Sequence, residues 1–406
     1  MPRRCRSASG AAAAVLLSLL ATAPAAPAAE LPLGPRSLDE RRSVSAVAPG
    51  VRWTRIVREG GPWRLNVLTI APGARVAVAR AGDSVGERAR PSTVSRRLRA
   101  VAAVNGGYFA ADGNPAGALA AGGRLLSEPV GGRSALLLAA AGTRRVAALR
   151  FEGTARVGGR VRLLDGVNRA PGEIPACGGR GGDRPTERPD AATTCTDPSE
   201  LVAFTPEWGA RTPRRGGSLD ALVRGGVVVA QRAGGGTAIP ADGSVLTATG
   251  GARRLLSGAG PGAPAELDPA LRARPAGDTA GDVAGGGPRL VAAGRLRVRS
   301  SAEGFAPLSA PWFHASFVAA RHPRTLAGVR ADGSLLLVTV DGRRAGWSAG
   351  VTLREAARVM SSLGARDALN LDGGGSTAMA VRGRTVSRPS DPTGERPVSD
   401  ALVVLP

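Results

Sequence analysis

The apolar residues of this chain come in short, interrupted runs. From Val51 onward, "WRLNVLTIAPG", "RVAVARA", "VAAVNGGYF", "SALLLAA" and "RVAALRFEG" are separated by Gly, Pro or Asp. Such runs suit strands of about 5–8 residues closed by turns, and are far short of the roughly 20 apolar residues that span a bilayer. Fifty-eight glycines and 31 prolines supply the breaks. Aromatics are only 3% of the chain, so a core must be built mainly from Ala, Val and Leu.

Later segments continue the pattern. "ELVAFTP", "DALVRGGVVVAQ" and "SVLTAT" read as strands, and "TLAGVRADGSLLLVTVDG" as two strands around an Asp-Gly turn. Two helices stand out. "TVSRRLRAV" is short. In "TLREAARVMSSLGA", Thr352 and Glu355 have capping-box spacing, and Leu353, Ala356, Ala357, Met360 and Leu363 repeat at helical spacing before Gly364. "ALNL" and "TAMAV" read as further strands. Residues 165–200 and 257–283, rich in Pro, Gly and Ala or Asp, are expected to be loop-rich excursions. No internal repeat of a solenoid or propeller is visible.

The formal net charge is +22, and every basic residue is arginine. With so much Ala and Gly, part of that charge reads as the codon bias of a high-GC genome; its functional reading is attraction to polyanions such as nucleic acid, an anionic membrane or wall polymers. Nucleic acid is disfavoured, because one Tyr and six Phe offer few stacking platforms and no nucleic-acid-binding signature appears. At the N-terminus, Arg3, Arg4 and Arg6 precede an apolar centre at Ala11–Leu20 and the small residues Ala26-Pro27-Ala28. Residues 1–28 are expected to be a secretory signal, 29–50 a loose arm, and 51–406 one catalytic domain. The mature chain is then extracellular or wall-associated, without an integral membrane segment, as a monomer or dimer. Cys177 and Cys195 remain after removal of Cys5 and are expected to pair in an oxidising compartment.

Several residues have the chemistry of a site. Asp341 and Asp372 each end an apolar strand and precede glycine. A strand can hold such a carboxylate rigidly at a cleft; the plainer reading is turn chemistry. Behind Asp372, Gly373, Gly374, Gly375, Ser376 and Thr377 offer backbone N–H groups that can form a nest for an anion. A phosphate-binding loop of the Gly-Lys-Ser/Thr type is excluded by the absence of lysine. "VNGGYF" places Asn105, Gly106, Gly107 and Tyr108 after another strand. "GGGPRL", "HPRT" and "GERP" place Arg289, Arg324 with Thr325, and Glu395 with Arg396 beside proline. An arginine fork binds phosphate or carboxylate in two-pronged fashion. His314 and His322 read as structural. No nucleophile elbow or zincin motif is present.

Taken in order, "VNGGYF", "GGGPRLV", "PRTLAGV" with "LLLVTVDG", "ALNLDGGGSTAM" and "GERPVSDALVV" resemble the phosphodiester glycosidase family, with "GVNR", "LVAFTPEWG" and "IPADGSVL" between them. The resemblance implies an α+β domain, a β-rich mixed sheet with packed helices, whose glycine-rich strand ends converge on one cleft. It implies hydrolysis of a sugar-1-phosphodiester of the N-acetylglucosamine-1-phosphate type. On this reading Asp372 or Asp341 serves as nucleophile or base, and the glycine N–H groups with Arg289, Arg324 and Arg396 cradle the phosphate. Asn105 and Tyr108 contact sugar, and Ser376 and Thr377 phosphate. This sequence also has His322 before Pro-Arg-Thr and Trp347 after the Asp341 strand. No cofactor is required. Two alternatives stay open: a phosphodiesterase holding a divalent cation through Asp341, Asp372 and Asn105, and a non-catalytic module binding wall or exopolysaccharide sugar phosphates.

Overall fold

The structure, a computed structural model, describes residues 40–59, 62–140, 142–175, 177, 183–185, 194–305 and 311–406. The signal segment and the start of the expected arm lie outside them. The rest of that arm is not loose: Glu40–Ala48 is an edge strand paired with Val51–Arg58.

The short apolar runs do become strands. The main sheet has eight, in the order Glu40–Ala48, Val51–Arg58, Trp63–Ile70, Leu335–Val340, Arg324–Arg330, Ala365–Asn370, Arg289–Ala292 and Arg295–Leu296. All its pairings are antiparallel. Leu335–Val340 is buried at every position. Leu335 and Leu337 face one core, while Leu336, Val338 and Val340 face another, as the two-residue strand period requires.

The first core lies between three sheets. Leu68, Leu337 and Leu369 of the main sheet meet Leu136 and Leu138 of a six-stranded sheet, and Val104, Met379 and Leu402 of a five-stranded one. The second core lies under the helix Leu353–Ser362, whose Ala356, Ala357 and Met360 pack on Leu326 and Val338. Thr352 and Glu355 form the expected capping box. The other expected helix is Pro91–Arg97, starting two residues earlier than its sequence pattern.

The fold class differs from the expected α+β. The chain is mostly β, and the longest of the described helices has 10 residues. Antiparallel strands are joined by hairpins and loops, so few helical crossovers are needed. The region 257–283 is likewise not wholly loop: Ala265–Asp268 and Leu271–Arg274 are strands on two different sheets. In the other excursion, Cys177 and Cys195 form a disulfide with Cα atoms 5.0 Å apart. It staples Ile174–Pro175 and Arg184–Pro185 around Thr194–Thr196. No described helix is long and apolar enough to cross a membrane.

Candidate active site

Register brings the glycine-rich motifs together at the ends of interior strands. Leu326 pairs with Asn370, so Arg324 and Asp372 lie at the same end of neighbouring antiparallel strands. Ala401 pairs with Asn105, which puts Asp400 beside Gly106. Asp372 N donates to Gly106 O at 3.1 Å, and Gly287 N to Asn370 O at 2.7 Å. These backbone bonds stitch the two sheets together where their strands end.

Polar side chains complete the seam. Asn105 Nδ2 donates to Asp372 O at 2.9 Å, while its Oδ1 accepts from Thr325 Oγ1 at 2.6 Å and Ala378 N at 3.2 Å. Asn105 and Thr325 are fully buried. The structure thus uses both as structural knots. Tyr108 Oη donates to Gly287 O and accepts from Asn370 Nδ2. Burial, then the nearby Asp372 charge, pushes the Tyr108 hydroxyl pKa up, so it stays protonated.

A cavity of about 770 Å³ opens beside this seam, lined among others by Tyr108, Arg133, Arg169, Phe305, Phe317 and Asp372. Asp372 is half-buried. Burial pushes its carboxyl pKa up to about 6, with Ser376, the Gly373 N–H and Arg396 favouring the charged form and Asp400 opposing it. Arg324, 1% exposed, stands close enough to Asp372 and Tyr108 to feel both charges. Its own pKa is pushed down to about 10 by burial. Its guanidinium lies over the Phe317 ring at 5.0 Å. Arg133 lies over Phe305 at 4.3 Å and is also pushed down by burial. Among the described residues neither Arg133 nor Arg324 forms an ion pair with a carboxylate. Two buried cations without carboxylate partners form a site that favours an anionic ligand.

The other expected residues lie elsewhere. Asp341 is separated from Asp372 by the strand Arg324–Arg330. Its carboxylate accepts from Trp347 Nε1 at 2.9 Å and Arg388 N at 3.0 Å, which gives Trp347 a structural role. Burial raises its pKa, yet it does not line the cavity. The three oxygen donors of a cation site at Asp341, Asp372 and Asn105 are therefore not brought together. Arg289 pairs with Asp367. Glu395 accepts from Ser92 N at the start of the helix Pro91–Arg97, and from Thr385. Arg396 grips Asp391 through two hydrogen bonds of 2.8 and 3.1 Å.

Of the N–H groups expected to form an anion nest after Asp372, those of Gly373, Gly374, Ser376 and Thr377 have partners within the protein. Gly373 N donates to Asp372 Oδ1, Gly374 N to Pro323 O, Ser376 N to Gly373 O and Thr377 N to Gly374 O. Ser376 and Thr377 are buried under the loop. The glycines serve close approach: a Cβ on Gly375 would lie 2.1 Å from Arg396 and 2.2 Å from Asp391. Gly106 is the same case, because its Cβ would lie 1.7 Å from Asp400 Oδ1, which accepts from Gly107 N.

Residues that sequence reasoning missed complete the site. Arg133 follows a Gly-Gly pair and precedes a strand, but lacks the neighbouring proline that marks the other motif arginines. Asp400 sits inside "GERPVSD". Arg169, from "GVNR", is buried in ion pairs with Glu128 and Glu200 at the cavity wall. Phe305, Phe313 and Phe317 fall in one stretch of a chain with few aromatics, a legible signal.

Several known proteins share fold or sequence with this chain. A solved structure from Burkholderia pseudomallei, described as an exported protein, is 29% identical, with a TM-score of 0.82 over 94% of this chain and 99% of that one. A hypothetical protein from Synechocystis, 24% identical, has a TM-score of 0.71 over 90% of this chain and 63% of its own, and shows the fold alone. The SPbeta prophage-derived uncharacterized protein YomE of Bacillus subtilis is 42% identical over 84 residues, which are 21% of this chain and 13% of that protein's length. Residues 218–405, which carry Arg324, Asp372 and Asp400, match the model of the phosphodiester glycosidase family.

Proposed function

We propose that the protein is an exported hydrolase that cleaves the glycosidic bond of a sugar-1-phosphodiester of the N-acetylglucosamine-1-phosphate type. The products are the free sugar and a phosphomonoester. The observation that carries this reading is Asp372: a half-buried carboxylate on the cavity wall, with its pKa at about 6, beside the buried cation Arg324.

The group leaving the anomeric carbon is already an anion. Its departure needs charge stabilisation more than a proton. Arg133, on the cavity wall, and Arg324, buried close to Asp372, supply positive charge in poorly solvated surroundings, where it acts strongly. Asp372, ionised at neutral pH, acts as nucleophile at the anomeric carbon or as base for the attacking water. The carbon–oxygen bond breaks, its electrons stay with the phosphate, and the water oxygen ends on the sugar. Tyr108, held protonated, fixes the floor of the site. No divalent cation is needed, so activity persists in chelator. Export is supported by the disulfide, since such bonds persist outside reducing compartments.

The test is cleavage of a defined N-acetylglucosamine-1-phosphodiester in water enriched in heavy oxygen, read by mass spectrometry. Label in the free sugar is expected. Label in the phosphate would mean phosphorus–oxygen cleavage and overturn the assignment.

A further inference from the structure

Away from the cavity, a groove of about 720 Å³ runs along the strand Val76–Arg80 and the end of the helix Pro91–Arg97. That strand pairs with Asp400–Val404 and is the last in its sheet. Half-buried Ala77, Ala79 and Leu405 line the groove together with four arginines, Arg75, Arg80, Arg97 and Arg99. Arg75, Arg97 and Arg99 are exposed. Among the described residues none of the four forms an ion pair with a carboxylate. Two of them are nevertheless held in place. Arg97 donates to Ala81 O and Arg80 O, both at 2.6 Å, and Arg80 donates to Asp83 O.

Arg99 stands there at a backbone cost. The helix ends in a Schellman pattern, with Arg99 N donating to Arg96 O and Ala100 N to Ser95 O. The pattern needs a left-handed residue, and Arg99 has φ 52°. At the same position after the helix Leu353–Ser362 stands Gly364, with φ 82°, as the usual preference requires. A chain with 58 glycines thus places an arginine where glycine is at home. The helix dipole does not ask for it, because Arg96 and Arg97 already occupy the last turn.

We infer that this groove binds an anionic polymer with a phosphodiester backbone, of the wall-polymer type, at a surface that shares no lining residue with the cavity of Asp372. Arginine forks take phosphate oxygens in two-pronged fashion. A thin chain enters a concave groove that a flat lipid surface does not reach. Nucleic acid is the poorer fit, because no aromatic ring lines the groove for bases to stack on. A peptide strand is barred from the middle of this sheet edge, since Val78 N already donates to Asp282 Oδ2 at 2.8 Å. The choice of an envelope polymer rests on the export reading above; the groove does not depend on the proposed reaction.

The experiment measures binding of a fluorescent glycerol phosphate dodecamer to the full chain at several salt concentrations. Its phosphodiesters carry no sugar, so the proposed reaction cannot consume it. Arg75→Gln combined with Arg99→Gly is expected to weaken binding about tenfold at low salt and to lower the salt slope by about one to two. Arg99→Gly alone relieves the left-handed backbone, so its melting temperature should hold or rise while its affinity falls. Arg354→Gln with Arg358→Gln, exposed on the helix Leu353–Ser362, removes the same charge elsewhere and should change affinity by less than about twofold. No binding, or an equal loss in that control pair, overturns the inference. So does tighter binding of a thymidylate dodecamer or of phosphatidylglycerol vesicles that is lost in the groove variant. None of these outcomes bears on glycosidic cleavage, which the heavy-oxygen experiment reads separately.

Discussion

Asn370 Nδ2 lies 2.7 Å from Tyr108 Oη and donates to it, while the same hydroxyl donates to Gly287 O at 2.7 Å. One hydroxyl thus joins three glycine-rich motifs distant in sequence. Tyr108→Phe removes both bonds and leaves the Asn370 amide with fewer partners. The expected cost is about 1–3 kcal/mol of stability, measured by denaturant unfolding. Because the hydroxyl is held protonated by burial, it does not titrate in the working range. The acid limb of the pH–rate profile should survive the substitution.

Asp372 should set that limb. Its folded pKa is about 6, raised from 3.8. Either catalytic role needs the ionised form, so kcat/KM is expected to rise with pH through an apparent pKa near 6 and then level. Stability has the opposite dependence. The folded chain binds the proton more tightly than the unfolded chain, so stability falls as pH rises from about 4 to about 6 and stays lower above. Asp372→Asn removes that penalty. It is expected to abolish turnover while raising stability at pH 7–8 by about 1–3 kcal/mol. A variant that keeps full activity would refute the catalytic assignment.

Arg324 and Arg133 are expected to act on the developing phosphate charge. Arg324→Met should lower kcat/KM by about a hundredfold or more, comparable to removing a fixed transition-state donor. Arg324→Lys should rescue only part of this, because the planar fork and its stacking on Phe317 are lost. Arg289, paired with Asp367 away from the cavity, is the contrasting case: Arg289→Lys should change kcat/KM less than threefold, on the scale of surface substitutions of about 0.5 kcal/mol.

The parts of this molecule that were legible in the sequence are those written in local periodicity. Alternating apolar runs, the capping box at Thr352 and the carboxylate closing "ALNLD" are each encoded within a few neighbouring residues. Fold class was less legible, since the helices are few and strand pairing is non-local. The site was legible by motif but not by role. Asn105 and Thr325 have the side chains of ligand binders, yet a buried polar knot and a binding set use the same residue types. The glycines after Asp372 were open to two readings, free N–H groups or close backbone approach, and the position of Arg396 and Asp391 against Gly375, which shows the close approach, is not written in the local sequence. Arg133 was hidden among 54 basic residues until the fold placed it over Phe305.

Asp400 offers a test of how the seam tunes the site without touching the cavity. It is 2% exposed, it accepts from Gly107 N at 3.0 Å, and its charge raises the pKa of Asp372. Asp400→Asn keeps an acceptor for Gly107 N but removes the negative charge. The ionised form of Asp372 is then less opposed, and the acid limb of kcat/KM should move to lower pH, with the plateau at high pH largely retained. Gly106→Ala attacks the same contact sterically, since its Cβ would fall 1.7 Å from Asp400 Oδ1. There the carboxylate must shift, and a stability loss of about 1–3 kcal/mol or more is expected. A shifted limb in the first variant with an unshifted melting temperature would separate the electrostatic role of Asp400 from its structural one. An unmoved limb would mean that Asp372 does not sense it.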